Sequence, residues 1–135
     1  MSNLIVLDSS ILIDELRTGC HTGRILGIDG LLRYSSVVLA ELWRGVLSPA
    51  DRKFLLELEQ DHAILTPTRN NWLESGQILA RIRAEKGFEP AELRDLHFDV
   101  LIALTARSHG AKLITSNRAD FELIREYRDF ELEVW

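Results

Sequence analysis

The sequence predicts an α/β fold, a three-layer α/β/α sandwich around a central, mainly parallel sheet, on three observations. Short apolar runs alternate along the chain with stretches of helical periodicity. Strands of that kind, each followed by a helix, imply parallel pairing through helical crossovers. The chain of 135 residues is 46% apolar and 27% charged and has no repeat, low-complexity tract or Pro/Gly-rich linker, so residues 1–135 read as a single domain.

Asn3 to Leu7 reads as the first strand, and Ser9 to Leu16 as a helix with Ser9 or Ser10 available to cap it. Residues 21 to 30 form a second helix or an irregular loop, because Gly23, Gly27 and Gly30 weaken the helical pattern. Leu32 to Ser35 is a strand; Ser36 then caps a helix through Val46, which Ser48-Pro49 ends or restarts. Pro49 to Gln60 is an amphipathic helix with Phe54, Leu55 and Leu58 on one side. Ala63 to Leu65 is a short strand, and Arg69 to Lys86 a long helix closed by Gly87 as its C′ residue. Phe88 to Arg94, with Pro90 inside it, reads as a loop. The remainder alternates again: a helix from His97 to His109 closed by Gly110, a strand from Lys112 to Thr115, a helix from Asn117 to Glu126 and a last strand from Phe130 to Val134.

The longest apolar runs, Leu4 to Leu7 and Ile11 to Ile13, fall far short of the roughly 20 residues that span a bilayer, and no cleavable leader pattern precedes them. The expectation is a cytoplasmic protein with no membrane partner. Cys20 is the only cysteine, which excludes an intramolecular disulfide and a Cys-rich zinc site and suggests a buried or incidental reduced thiol.

Four acids stand where an acid needs a reason. Asp8 ends the apolar run "LIVL" and is followed by Ser9 and Ser10; burying such a carboxylate without partners costs several kcal/mol or more. Glu41, in "SSVVLAELWRG", sits in a mostly apolar helix with Gly45 one turn on. Asp99, in "DLHFDVLIALTARSHG", opens an apolar stretch with Ala103 and Ala106 on its face, and Asp120 follows "KLIT" in "TSNRADF". Alone, each has an ordinary explanation: a solvated strand end for Asp8, a solvated helix side for Glu41, a first-turn acid for Asp99, and a cap partner of Asn117 for Asp120. Asp8 and the segment from Thr115 to Asp120 fall at the carboxyl edge of the sheet, where ligands bind in such folds, and four acids from separated parts of the chain could converge at one mouth. The net charge of −5 argues at first against a nucleic-acid partner. Residues 121–135 hold five acids against two arginines, net −3; the other 120 carry −2, or +2 once these four acids are set aside. A mildly basic rim around an acidic centre is therefore permitted.

The stretches "IVLDSSILID", "SSVVLAELWRG" and "FDVLIALTARSHGAKLITSNRADF", followed by an acidic final strand, occur in the order in which the chain resembles the PIN-domain family, specifically the toxin ribonucleases of VapBC-type toxin–antitoxin systems. The resemblance spans residues 4 to 120 and implies a PIN-like fold, with Asp8, Glu41 and Asp99 as the main metal-binding acids and Asp120 as a less regular fourth. Asn117 stands where some members carry a polar or acidic residue, so the fourth position stays open between it and Asp120, and Asp95 is an outer candidate. It implies a Mg²⁺- or Mn²⁺-dependent endoribonuclease that cuts tRNA or rRNA and inhibits translation, a homodimer, and a cognate antitoxin in a hetero-oligomer.

That chemistry suits the residues. Phosphodiester hydrolysis needs an activated water and neutralised phosphoryl oxygens, and hard cations that provide both select carboxylate oxygen. One ion or two would serve. Ser9, with Ser10 as second choice, can hydrogen-bond a ligating carboxylate or a phosphate, and Thr115 can position water or phosphate. Arg44 and Arg118 flank the site residues in sequence and are candidate RNA contacts; the amphipathic helices of residues 37 to 60 could form the groove for partner and dimer. His97 reads as structural. The competing readings are an RNA-processing nuclease outside a toxin system, a noncatalytic PIN-like RNA- or protein-binding module, and a phosphoryl-accepting enzyme using Asp8. The last is disfavoured by the absence of any G-x-x-x-x-G-K-[ST] or G-x-G-x-x-G stretch.

Overall fold

A computed structural model describes residues 3–61 and 63–135. Five strands form one sheet, β1 (Leu4–Leu7), β2 (Leu31–Ser35), β3 (Ile64–Leu65), β4 (Lys112–Thr115) and β5 (Leu132–Val134), in the spatial order β3-β2-β1-β4-β5 with every pairing parallel. The helices between them are α1 (Ser9–Thr18), α2 (Thr22–Leu26), α3 (Ser36–Arg44), α4 (Pro49–Asp61), α5 (Arg69–Lys86), α6 (Pro90–Ser108) and α7 (Arg118–Arg125). The chain winds outward from β1 to β3, then returns to β4 and β5 on the other side of β1. Crossovers that run outward from β1 to β3 and then back past β1 put helices on both faces of the sheet, the three layers expected. The direction of winding reverses between β1 and β4. A cleft at their carboxyl ends follows from that reversal.

The central strand explains its own composition. Ile5, Val6 and Leu7 are buried because helices cover both faces, so the strand is apolar throughout rather than alternating. Helix α6 is buried continuously from Val100 to Ala106, which is why its apolar residues occupy every side. Asp99 stands immediately before that buried run. Helix α3 contacts α6 as well as α1, and this contact brings Glu41 toward Asp99.

Several boundaries differ from the sequence expectation, each for a local reason. The stretch 88–94 is not all loop: α6 starts at Pro90, whose fixed φ and missing N–H suit a first helical position, and the Glu89 N–H donates to Glu92 Oε1 at 2.9 Å. Asp99 is consequently well inside its helix, and the favourable first-turn dipole does not account for it. Ser35 rather than Ser36 caps α3, its Oγ accepting from the Val37 and Val38 N–H groups. Asp8, not Ser9 or Ser10, holds the N-cap position of α1, with its backbone oxygen accepting from Ile11. Gly87 closes α5 as expected, in the left-handed region at φ 72°. Residues 22–26 are the helix of the 21–30 alternatives, and Cys20 is exposed rather than buried. No helix among the described residues is long and apolar enough to cross a membrane.

Candidate metal centre

The reversal of winding puts Asp8 and Thr115 side by side. Leu7 pairs with Ile114, so the next residue of each strand lies at the same carboxyl edge, and the Asp8 N–H donates to the Ile114 carbonyl at 2.8 Å. Asp8 is only 2% exposed, yet its carboxylate is not stranded. Its Oδ2 accepts from Thr115 Oγ1 and from Ser10 Oγ, both at 2.8 Å, and Ser9 Oγ lies 3.5 Å from Oδ1.

Glu41 reaches the same place from α3 and Asp99 from α6. One oxygen from each of Asp8, Glu41 and Asp99 lies within 4.8 Å of the other two. Two oxygens on opposite sides of a single hard cation, each bonded at about 2.0–2.6 Å, are about 4–5 Å apart, so the three carboxylates fit around one ion. Ser9 Oγ is 3.3 Å from Glu41 Oε1 and thus spans Asp8 and Glu41.

The electrostatics of this cluster without a cation are unfavourable. Burial is the leading cause that pushes Asp99 up to about 8, followed by the charges of Asp8, Glu41 and Asp120 and by a hydrogen bond with Asp120. Glu41 is also raised, first by burial and then by Asp8, with partial relief from the Ser9 hydroxyl and Arg44. Carboxylates gathered at this separation and shielded from water form a ready set of oxygen donors for a divalent ion. Hard oxygen ligands suit magnesium or manganese better than soft metals.

Asp120, in the first turn of α7, is close enough to hydrogen-bond Asp99 and also accepts from Asn117 Nδ2 at 3.0 Å. Asn117 is at the same time the cap of α7. Asp120 is thus both a partner of the α7 cap residue and a neighbour of Asp99. Asp95 is exposed and lies outside the three-acid group. Of the two arginines singled out, Arg44 is exposed, stacks its guanidinium over Phe98 at 5.2 Å and acts electrostatically on Glu41. Arg118 is exposed and pairs with Glu122 at 3.0 Å. His97 packs in the α5–α6 layer with Nε2 3.0 Å from Ser75 Oγ, a structural role. The sequence placed Ser10 second to Ser9, whereas Ser10 makes the shorter bond to Asp8.

Beside Glu41, a groove of about 160 Å³ runs between α1, α3 and α4. Ile13, Leu16, Leu42, Val46 and Leu47 line it, and Leu47 is 93% exposed.

A family model described as PIN domain matches residues 5–127. Among solved structures, the chain is similar to one from the DNA-bound VapBC of Salmonella typhimurium, with 26% identity, a TM-score of 0.68 and coverage of 100% of this chain and 99% of that one. It is similar also to one from VapBC-5 of Mycobacterium tuberculosis, with 25% identity, a TM-score of 0.62 and coverage of 98% and 99%. VapBC2 of Rickettsia felis, bound to a promoter DNA fragment, shares the fold at 21% identity and a TM-score of 0.69, with 98% of each chain covered. No curated protein matches the chain by sequence.

Proposed function

The chain belongs to the PIN-domain family, and from that premise we propose that it is the toxin of a type II toxin–antitoxin system, a metal-dependent endoribonuclease that cuts tRNA or rRNA and so inhibits translation. PIN domains are generally metal-dependent nucleases. The observation that carries the reading for this chain is the convergence of Asp8, Glu41 and Asp99 within 4.8 Å. The whole of residues 1–135 is taken as one such domain, acting in the cytoplasm.

Asp8, Glu41 and Asp99 would hold Mg²⁺ or Mn²⁺, with Asp120 beside Asp99 and Asn117 steadying Asp120. A bound divalent ion supplies activation of the attacking water and neutralises charge on the phosphoryl group. The chain's own residues do the rest. Thr115 and Ser9 hold carboxylates in place by hydrogen bonds, and Arg44, which lies within electrostatic reach of Glu41, is the cation best placed to meet an RNA phosphate. Arg118 is the weaker candidate of the two because Glu122 already pairs with it.

The partners follow from the relatives. VapBC complexes supply the precedent for an antitoxin protein and a hetero-oligomer, and the groove beside Glu41 has the apolar lining an amphipathic antitoxin segment needs. Such a segment lying on Leu47 would cover the approach to Glu41. A photo-crosslinker placed at position 47 should capture the antitoxin; crosslinks confined to α5–α7 would contradict this placement. A homodimer completes the assembly.

Induced synthesis of the chain alone should stop amino-acid incorporation within minutes, and Asp8→Asn or Asp99→Asn should abolish the arrest. Continued incorporation while folded wild-type protein accumulates would contradict the toxin reading.

A further inference from the structure

Ser10 and Thr115 are each tied to three groups of the site, and donor counting fixes where their protons go. The Ser116 N–H donates to Ser10 Oγ at 3.1 Å, and the Asn117 N–H donates to Thr115 Oγ1 at 2.9 Å. Each hydroxyl thus has a lone pair engaged by the turn between β4 and α7 and one proton left to give. Both oxygens stand 2.8 Å from Asp8 Oδ2. The contact between the two hydroxyls is longer, 3.3 Å, and neutral, so the carboxylate oxygen takes both protons.

This leaves the two oxygens of Asp8 unequal. Oδ2 is occupied by hydroxyl donors on the β4 side. Oδ1 shares the Ser9 hydroxyl with Glu41, Ser9 Oγ lying 3.5 Å from it and 3.3 Å from Glu41 Oε1. We propose that Ser10 is a positioning residue which, with Thr115, pins Asp8 Oδ2 to the β4–α7 turn and so presents Oδ1 alone to the ion. The inference rests on the reading of the acidic cluster as a divalent-metal centre. It gives the turn that carries Asn117 and Asp120 a second task, since its backbone N–H groups orient the hydroxyls that orient Asp8. Loss of the Ser10 hydroxyl leaves Thr115 to hold Oδ2 without it and loosens the carboxylate's orientation, and hydrogen-bond partners of ligating groups typically matter by about 10–100-fold in metal affinity.

The test is calorimetric titration of Mn²⁺ into the folded chain as wild type, Ser10→Ala and Ser10→Thr, with thermal melting of each metal-free protein recorded alongside. Ser10→Ala should bind Mn²⁺ at least about tenfold more weakly, while Ser10→Thr, which keeps the hydroxyl, should restore most of the affinity. A Ser10→Ala protein that melts lower but binds as wild type would make Ser10 merely structural and overturn the proposal; so would equal weakening in both variants. Absence of binding by wild type would instead bring down the metal-centre reading itself, and this inference with it.

Discussion

At the residue scale, Asp99 shows what the cluster costs the protein. A carboxyl raised to about 8 binds its proton more tightly in the folded chain than in the unfolded chain, where it titrates near 4. Its contribution to stability is therefore full below pH about 4 and is lost as pH rises through about 8. Metal-free protein should melt at falling temperature as pH rises across that interval, and Asp99→Asn should flatten the fall and raise the melting temperature at pH 8. A wild-type melting temperature that climbs with pH over the same range would contradict the assignment. Addition of Mn²⁺ should raise it more at pH 8 than at pH 5, because an ion competes with protons for the same oxygens. The acids were legible in the sequence because an ionisable side chain embedded in "LIVLD", "VVLAEL" or "FDVLIAL" has no solvated face to occupy. The ranking of Ser9 over Ser10 was not, since it depends on where α1 begins. With Asp8 at the N-cap, Ser10 rather than Ser9 turns toward the β4 edge.

At the scale of elements, two glycines make opposite predictions. Gly30 lies at φ 157° just before β2, and a Cβ there would stand 2.7 Å from the Asn3 carbonyl oxygen and 3.1 Å from Ile5 Cγ1. The backbone atom cannot yield without disturbing the β1–β2 pairing, so Gly30→Ala should destabilise by about 1–3 kcal/mol, as overpacking does. Gly76, inside α5, has nothing within 4 Å of the corresponding position. Gly76→Ala should stabilise by about 0.5–1 kcal/mol through helix propensity alone. Chemical denaturation of the two variants checks both signs. Most elements could be read from periodicity and punctuation: Gly87 ends α5 because it adopts a left-handed conformation that other residues resist. The start of α6 escaped because Pro90 is ambiguous in isolation; proline breaks a helix interior but suits its first turn. The shift of one residue in the cap of α3 has a similar origin, as Ser35 and Ser36 offer the same hydroxyl and only the backbone angle at Ser35 decides.

At the scale of the molecule, the order β3-β2-β1-β4-β5 does the assembling. Residues separated by more than ninety positions, Asp8 and Asp99, meet because the winding reverses beside β1 and because α3 contacts α6. Alternation of strands and helices, with the rule of right-handed crossovers, made this edge foreseeable as the place for a site. What could not be foreseen is which side chains close the groove beside Glu41, since that depends on the angle at which α4 follows α3. The negative net charge does not conflict with an RNA substrate, because much of it lies in residues 121–135 and in the acids that a divalent ion would neutralise. The most direct measurement is incubation of total tRNA and rRNA with purified chain in Mg²⁺, in Mn²⁺ and in EDTA, beside Asp8→Asn and Asp99→Asn. The account predicts discrete cuts with either ion, none in EDTA and none with either variant; cuts that persist in EDTA or in the variants, or folded metal-bound protein that leaves every RNA intact, would contradict it.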